Sequence, residues 1–134
     1  MKNKKIVTYR DLDVFQRSYK AMLLVMKEIV PKLPTSEKFD LTDQISRSSK
    51  AIPRLIAEGF AKRHQKRGFQ KYLSDAMAES NETQVGITQC EDIYGDLMPV
   101  DICDDLVEEY NIISKQLYKL EMAWDKFSKP NPKH

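Results

Sequence analysis

The sequence predicts an all-α protein: an antiparallel up-down-up-down four-helix bundle whose second helix is kinked at Pro53. Three observations carry this expectation. Apolar residues recur every three or four positions along four long stretches. The breaks between stretches are short and hold Pro, Gly or a run of charge. No stretch alternates apolar and polar residues between regular turn signals, as strands do. The chain has 134 residues, 41% hydrophobic and 31% charged, with only four glycines. That composition fits a single helical domain, long enough to bury roughly two-thirds of its unfolded surface.

Residues 1–10 are polar and basic and read as a flexible arm. The first helix is expected to start near Asp11, a good N-cap type, with an apolar row at Phe15, Tyr19, Met22, Met26 and Ile29. Pro31 and Pro34 close it, since proline lacks an amide hydrogen and restricts the residue before it. The second helix, capped by Asp40 or Ser36, runs from Leu41 to about Ala61. Its row is Leu41, Ile45, Ile52 and Ile56, with Ser48 and Ser49 filling the gap. Pro53 cannot donate to the Ser49 carbonyl and crowds that turn, which predicts the kink, with the Ser46 and Ser49 hydroxyls placed to serve freed acceptors.

Lys62 to Arg67 form a basic connection. The third helix begins near Lys66 or Gly68 and reaches about Tyr94. Its row is Phe69, Leu73, Ala76, Ser80, Thr83, Ile87, Cys90, Tyr94 and Leu97, an unbroken alternation of four and three that suits left-handed bundle packing. Ala76, Ser80 and Thr83 are small enough for a partner helix to approach closely. Gly95, Asp96 and Pro99 mark a turn. The fourth helix runs from Asp101 to about Phe127, with Cys103, Leu106, Tyr110, Ile113, Leu117, Leu120, Trp124 and Phe127 on one face. Its acids come first and its lysines later, which suits the helix dipole. Residues 128–134 read as a tail, so the whole chain, 1–134, is one domain.

Several classes of chemistry find no support. The two histidines, His64 and His134, have no glutamate three positions before them, so a di-iron bundle site is not encoded. Zinc spacing is equally missing, and no metal or cofactor is expected. Cys90 and Cys103 fall on apolar faces and read as reduced core residues. The four glycines are dispersed, so no phosphate-cradling loop exists. Glu58, Glu79 and Glu82 sit near small residues and either meet inside the bundle or cap, pair with Arg47 or Arg54, or face solvent. The longest apolar run, Ala21 to Met26, is far short of the ~20 residues that cross a bilayer. No apolar segment follows Lys2, Lys4 and Lys5 as a signal peptide would require, so a cytoplasmic protein without membrane contact is expected.

Charge is unevenly placed. Residues 1–72 hold 17 Lys and Arg against 7 Asp and Glu, a balance of +10; residues 73–134 hold 5 against 13, a balance of −8. The basic residues Arg47, Lys50, Arg54, Lys62, Arg63, Lys66, Arg67 and Lys71 follow the second helix into the third. Such a set is either a solvated face or a surface for nucleic-acid phosphates, RNA or DNA. Phe69 and Tyr72 lie near enough to stack a base, although Phe69 is also on the core row. Leu24, Leu55, Met77, Val85, Ile112 and Met122 fall off the apolar rows and point to a second buried surface, hence a homo-oligomer interface.

The run Leu41-Thr-Asp-Gln-Ile-Ser-Arg-Ser-Ser-Lys-Ala-Ile-Pro53, followed by Ile56-Ala-Glu-Gly59, resembles the signature of the bacterial four helix bundle protein family, also called the 23S rRNA intervening-sequence proteins. Tyr9-Arg-Asp-Leu-Asp-Val-Phe-Gln16, Leu33-Pro34 and Phe69-x-x-Tyr72-Leu73-x-x-Ala76 extend the resemblance over most of residues 9–94. Arg54-Leu55 stand where the family usually has a small residue and Asn, and Glu79 precedes Ser80 where it usually has Gly. The resemblance implies an antiparallel bundle that assembles as a homopentamer, and kinship with the accessory proteins of diversity-generating retroelements implies a link to nucleic acid. Together these readings predict a non-enzymatic oligomer that binds RNA or a ribonucleoprotein partner through its basic surface. The alternative is a protein-interaction scaffold that self-assembles by pairing acidic with basic surfaces, without nucleic acid.

Overall fold

The computed structural model describes residues 5–128, with side chains described as far as Asp125. Four helices account for most of them: α1 (Asp13–Leu24), α2 (Leu41–Ala61), α3 (Gly68–Tyr94) and α4 (Val100–Ser128). No strand occurs among the described residues. α2 packs against α3, α3 against α4, and α1 against both α2 and α4, so the four helices surround one core. The expectations for the arm before Lys5, for the side chain of Phe127 and for the tail beyond Ser128 lie outside the described residues.

The rows of α2, α3 and α4 go where their periodicity sends them. Leu41, Ile45, Ile52 and Ile56 are buried, as are Phe69, Leu73, Ala76, Ile87 and Cys90, and Cys103, Leu106, Tyr110, Ile113 and Leu117. Leu97 is an exception: it is half exposed in the turn after α3, and Met98 takes the buried place. The predicted row of the first helix is displaced except at Ile29, which is buried as expected. Tyr19 is exposed, and the buried residues are Val14, Ser18, Ala21, Val25 and Ile29. The small residues face the neighbouring helices, while Phe15 moves to the flank and rests between Tyr9 and Tyr19, at 4.7 and 5.9 Å between ring centroids. A π-helical turn at Val25–Ile29 follows α1 and keeps both its end residues in the core. Asp11 does not cap α1. Its carboxylate accepts from the Val7 and Thr8 amides and closes a capping box on the 3-10 turn Tyr9–Asp11.

α2 is continuous through Pro53, which is buried. Asp40 occupies the N-cap position without a side-chain cap bond; the Leu41 amide instead donates to Glu37 at 3.3 Å. Ser49 Oγ donates to the Ser46 carbonyl rather than to the acceptor that Pro53 leaves. The α2–α3 seam is narrow. A Cβ on Gly86 would collide with the Ile45 side chain, and one on Gly59 would come within 2.6 Å of Tyr72 Cβ. The small residues also carry the polar contacts of the core. The Thr83 hydroxyl donates to the Glu79 carbonyl and shares a bond with the Ser48 hydroxyl, each 2.8 Å. Ser114 Oγ donates to Ser80 Oγ at 2.8 Å, and Ser80 donates to the Tyr110 carbonyl. Contact partners run in opposite order along neighbouring helices: Ile45 with Gly86 and Gly59 with Tyr72, Gln84 with Val107 and Arg67 with Asp125, Asp13 with Gln116 and Arg17 with Glu109.

Candidate nucleic-acid interface

The eight basic residues do not form one surface. Lys62, Lys66, Arg67 and Lys71 line a concavity of about 540 Å³ at the α2–α3 connection, together with Gln65, Gln70, Tyr72, Asp75 and Glu121. Lys62 is held in place: its ammonium donates to the Tyr72 hydroxyl at 2.7 Å, and this bond pushes the Lys62 pKa up. Lys66 and Lys71 are exposed and have no ion-pair partner among the described residues. Arg67 adopts the left-handed conformation, φ 56°, immediately before α3, and its guanidinium donates to Asp125 at 2.7 Å. Arg63 turns inward. It donates to the Phe60 carbonyl at 2.8 Å at the end of α2 and lies 4.0 Å over the Phe60 ring. Three cations are thus left for a ligand at this end: Lys62, Lys66 and Lys71.

α3 begins there without a side-chain cap and without an acid in its first turn. Its amide ends and partial positive charge therefore add to the lysines, with Asp75 and Glu121 as the carboxylates on the same concavity. Phe69 cannot stack a base. It is fully buried, edge-on to Trp124 at 4.9 Å and to Phe60 at 5.8 Å. Tyr72 is half-buried, and its hydroxyl is committed to Lys62.

Arg47, Lys50 and Arg54 lie apart, on the exposed side of α2. Arg47 pairs with Asp43 at 3.2 Å, and Arg54 Nε reaches the Lys50 carbonyl at 3.4 Å. Arg47 and Arg54 border a smaller hollow with Ser48, Ala51, Glu79 and Glu82. Burial, and then a hydrogen bond shared with Glu82, pushes the Glu79 carboxyl up, while Arg47 opposes the shift. This part of the basic set is locally balanced by acids. Glu79 and Glu82 meet here rather than inside the bundle.

The six residues assigned to an oligomer interface are not brought into one patch either. Leu24, Val85 and Met122 are exposed, whereas Leu55 and Met77 pack partly against the core and Ile112 is half-buried. Leu24 borders a groove between α1 and α4, Val85 one between α2 and α3, and Met77 one between α3 and α4. Exposed Ile93 and Tyr118 were missed, although both fall off the apolar rows and the same test would have selected them. Among the described residues no three His, Cys, Asp or Glu side chains gather as a metal site. Burial pushes the Cys90 thiol up to about 12 and the Cys103 thiol up to about 11, which leaves both unreactive. No described helix is long and apolar enough to cross a membrane.

The family model described as 23S rRNA-intervening sequence protein matches residues 10–119. No curated protein matches the chain.

Proposed function

This chain belongs to the 23S rRNA-intervening sequence protein family, and from that premise we propose that it is a non-enzymatic, cytoplasmic homo-oligomer that binds RNA through the end of the bundle around the α2–α3 connection. Each subunit is an up-down-up-down bundle with a bend in α2 at Pro53. Five copies are expected from the family resemblance. The observation that carries the reading is the concavity lined by Lys62, Lys66 and Lys71 at the uncapped start of α3. Cations grouped in this way neutralise backbone phosphates and release counterions without reading bases. Lys62, pinned by Tyr72, loses less freedom on binding than a free lysine. Repeating the site on every subunit turns weak contacts into useful affinity.

The test is a salt titration of binding to single-stranded RNA by the wild type and by the Lys62→Glu, Lys66→Glu, Lys71→Glu triple variant. Each phosphate contact contributes about 0.7 to the slope of log affinity against log salt. The expected result is a large loss of affinity together with a shallower slope. Unchanged affinity and slope would remove this surface from consideration.

A further inference from the structure

Two exposed apolar patches carry opposite charge and sit far apart on the same helix pair. On α4, Lys115, Tyr118, Lys119 and Met122 form one stripe at i, i+3, i+4 and i+7. Tyr118 and Met122 are 55% and 44% exposed, and Met77 of α3 lines the shallow groove beneath Lys115 and Lys119. At the α3–α4 turn, Ile93, Leu97 and Val100 are 62%, 51% and 44% exposed, and exposed Asp96 and Asp101 stand among them. Neither the two lysines nor these two aspartates have an ion-pair partner among the described residues. One patch is apolar with a basic border, and the other is apolar with an acidic border.

We propose that the acidic turn of one copy docks on the basic α4 stripe of a second copy. A single chain cannot close this contact on itself. Val100 and Tyr118 lie on one rigid helix, about 27 Å apart at 1.5 Å per residue. The two patches differ, so the contact is heterologous, and it closes into a ring where the rotation between copies allows. Apolar side chains supply the burial, and the paired charges fix which end meets which face. The other basic surface is a poorer match for the turn. Around Lys62 to Arg67 no large apolar side chain is exposed, and Arg63 and Arg67 are already engaged. This inference rests on the self-association proposed above but uses none of the residues assigned to RNA.

Sedimentation velocity on the full chain without nucleic acid tests it. Two variants are needed: Lys115→Glu with Lys119→Glu, and Asp96→Lys with Asp101→Lys. Each is expected to self-associate at least about tenfold more weakly than the wild type, since each sets like charges against each other. Mixed together, they should co-assemble by alternating, because the aspartate turn of one meets the lysine stripe of the other and the reversed faces also carry opposite charges. This mixing also shows that both variants are folded. Retention of wild-type mass by either variant overturns this contact while leaving self-association standing. Failure of the mixture to associate also overturns the contact. A wild type that stays monomeric at high concentration overturns both.

Discussion

α3 and α4 are neighbours of nearly equal length, 27 and 29 residues, yet their charges are arranged in opposite ways. α4 opens with Asp101, Asp104 and Asp105 and carries Lys115 and Lys119 further on, in the sense its dipole favours. α3 opens beside Lys66, Arg67 and Lys71 and ends with Glu91 and Asp92, against its dipole. It also lacks a side-chain cap, and the residue before it is a left-handed arginine. For α4, helix stability is reason enough for the order of charges. For α3 it is not. Because the two helices meet in opposite order, both arrangements place cations at one end of the molecule and acids at the other. The polarity of the whole molecule is kept at the expense of α3.

The seam with α2 makes up for what the ends of α3 lose. α4 fills its core row with Leu106, Tyr110, Ile113 and Leu117, whereas α3 meets α2 through Thr83, bonded to Ser48, and Gly86, set against Ile45. The comparison predicts that α3 is the helix less tolerant of added volume. Gly86→Ala drives a methyl group into Ile45, and the expected cost is about 1–3 kcal/mol, measured by chemical denaturation. Intrinsic propensity alone would make the same change favourable by up to about 1 kcal/mol, so the sign decides between them. A stabilised Gly86→Ala would show that the seam has room and that α3 is not held by close approach.

The second way to sharpen the contrast is to correct the charges. Lys66→Glu with Lys71→Glu gives α3 the acidic start it lacks, and should raise stability by about 0.5–1 kcal/mol while weakening RNA binding. Asp101→Lys does the reverse to α4 and should lower stability by a similar amount. Thermal melts beside binding isotherms separate the two readouts. If the α3 pair lowers stability, its cations serve the fold and the argument from the dipole is wrong.

How much of this was legible in the sequence follows the same division. The rows of α2, α3 and α4 were readable because each holds large apolar residues at a steady spacing. The row of α1 was not. Ser18 and Ala21 are too small to register as a stripe, so the eye follows Phe15, Tyr19 and Met22, which lie on the flank. The basic residues were readable as a list but not as a site. Spacing does not reveal that Arg63 turns back onto Phe60, or that Arg67 meets Asp125 58 positions away. Those facts depend on which helix lies beside which.

The smallest expected effect lies where the ends of the two helices meet. Glu91 near the end of α3 shares a hydrogen bond with Asp104 near the start of α4; burial first, and then that bond and the Asp104 charge, push the Glu91 carboxyl up. A carboxyl raised on folding binds its proton more tightly in the folded state than in the unfolded one. Between the ordinary carboxylate value and the raised one, stability therefore falls as pH rises. Below that window the group costs nothing, and at neutral pH its full cost is present. Glu91→Gln removes the titration and keeps the shape. The variant should match the wild type near about pH 4 and exceed it near about pH 7, with most of the gap opening just above the ordinary carboxylate range. Asp104→Asn should open a gap of the same sign, and the double variant should gain less than the sum of the two, because either change alone relieves the shared repulsion. A gap that is equally large at both pH values would mean that Glu91 acts through packing. The acidic end would then be under no electrostatic strain, and α3 would carry its burden at the basic end alone.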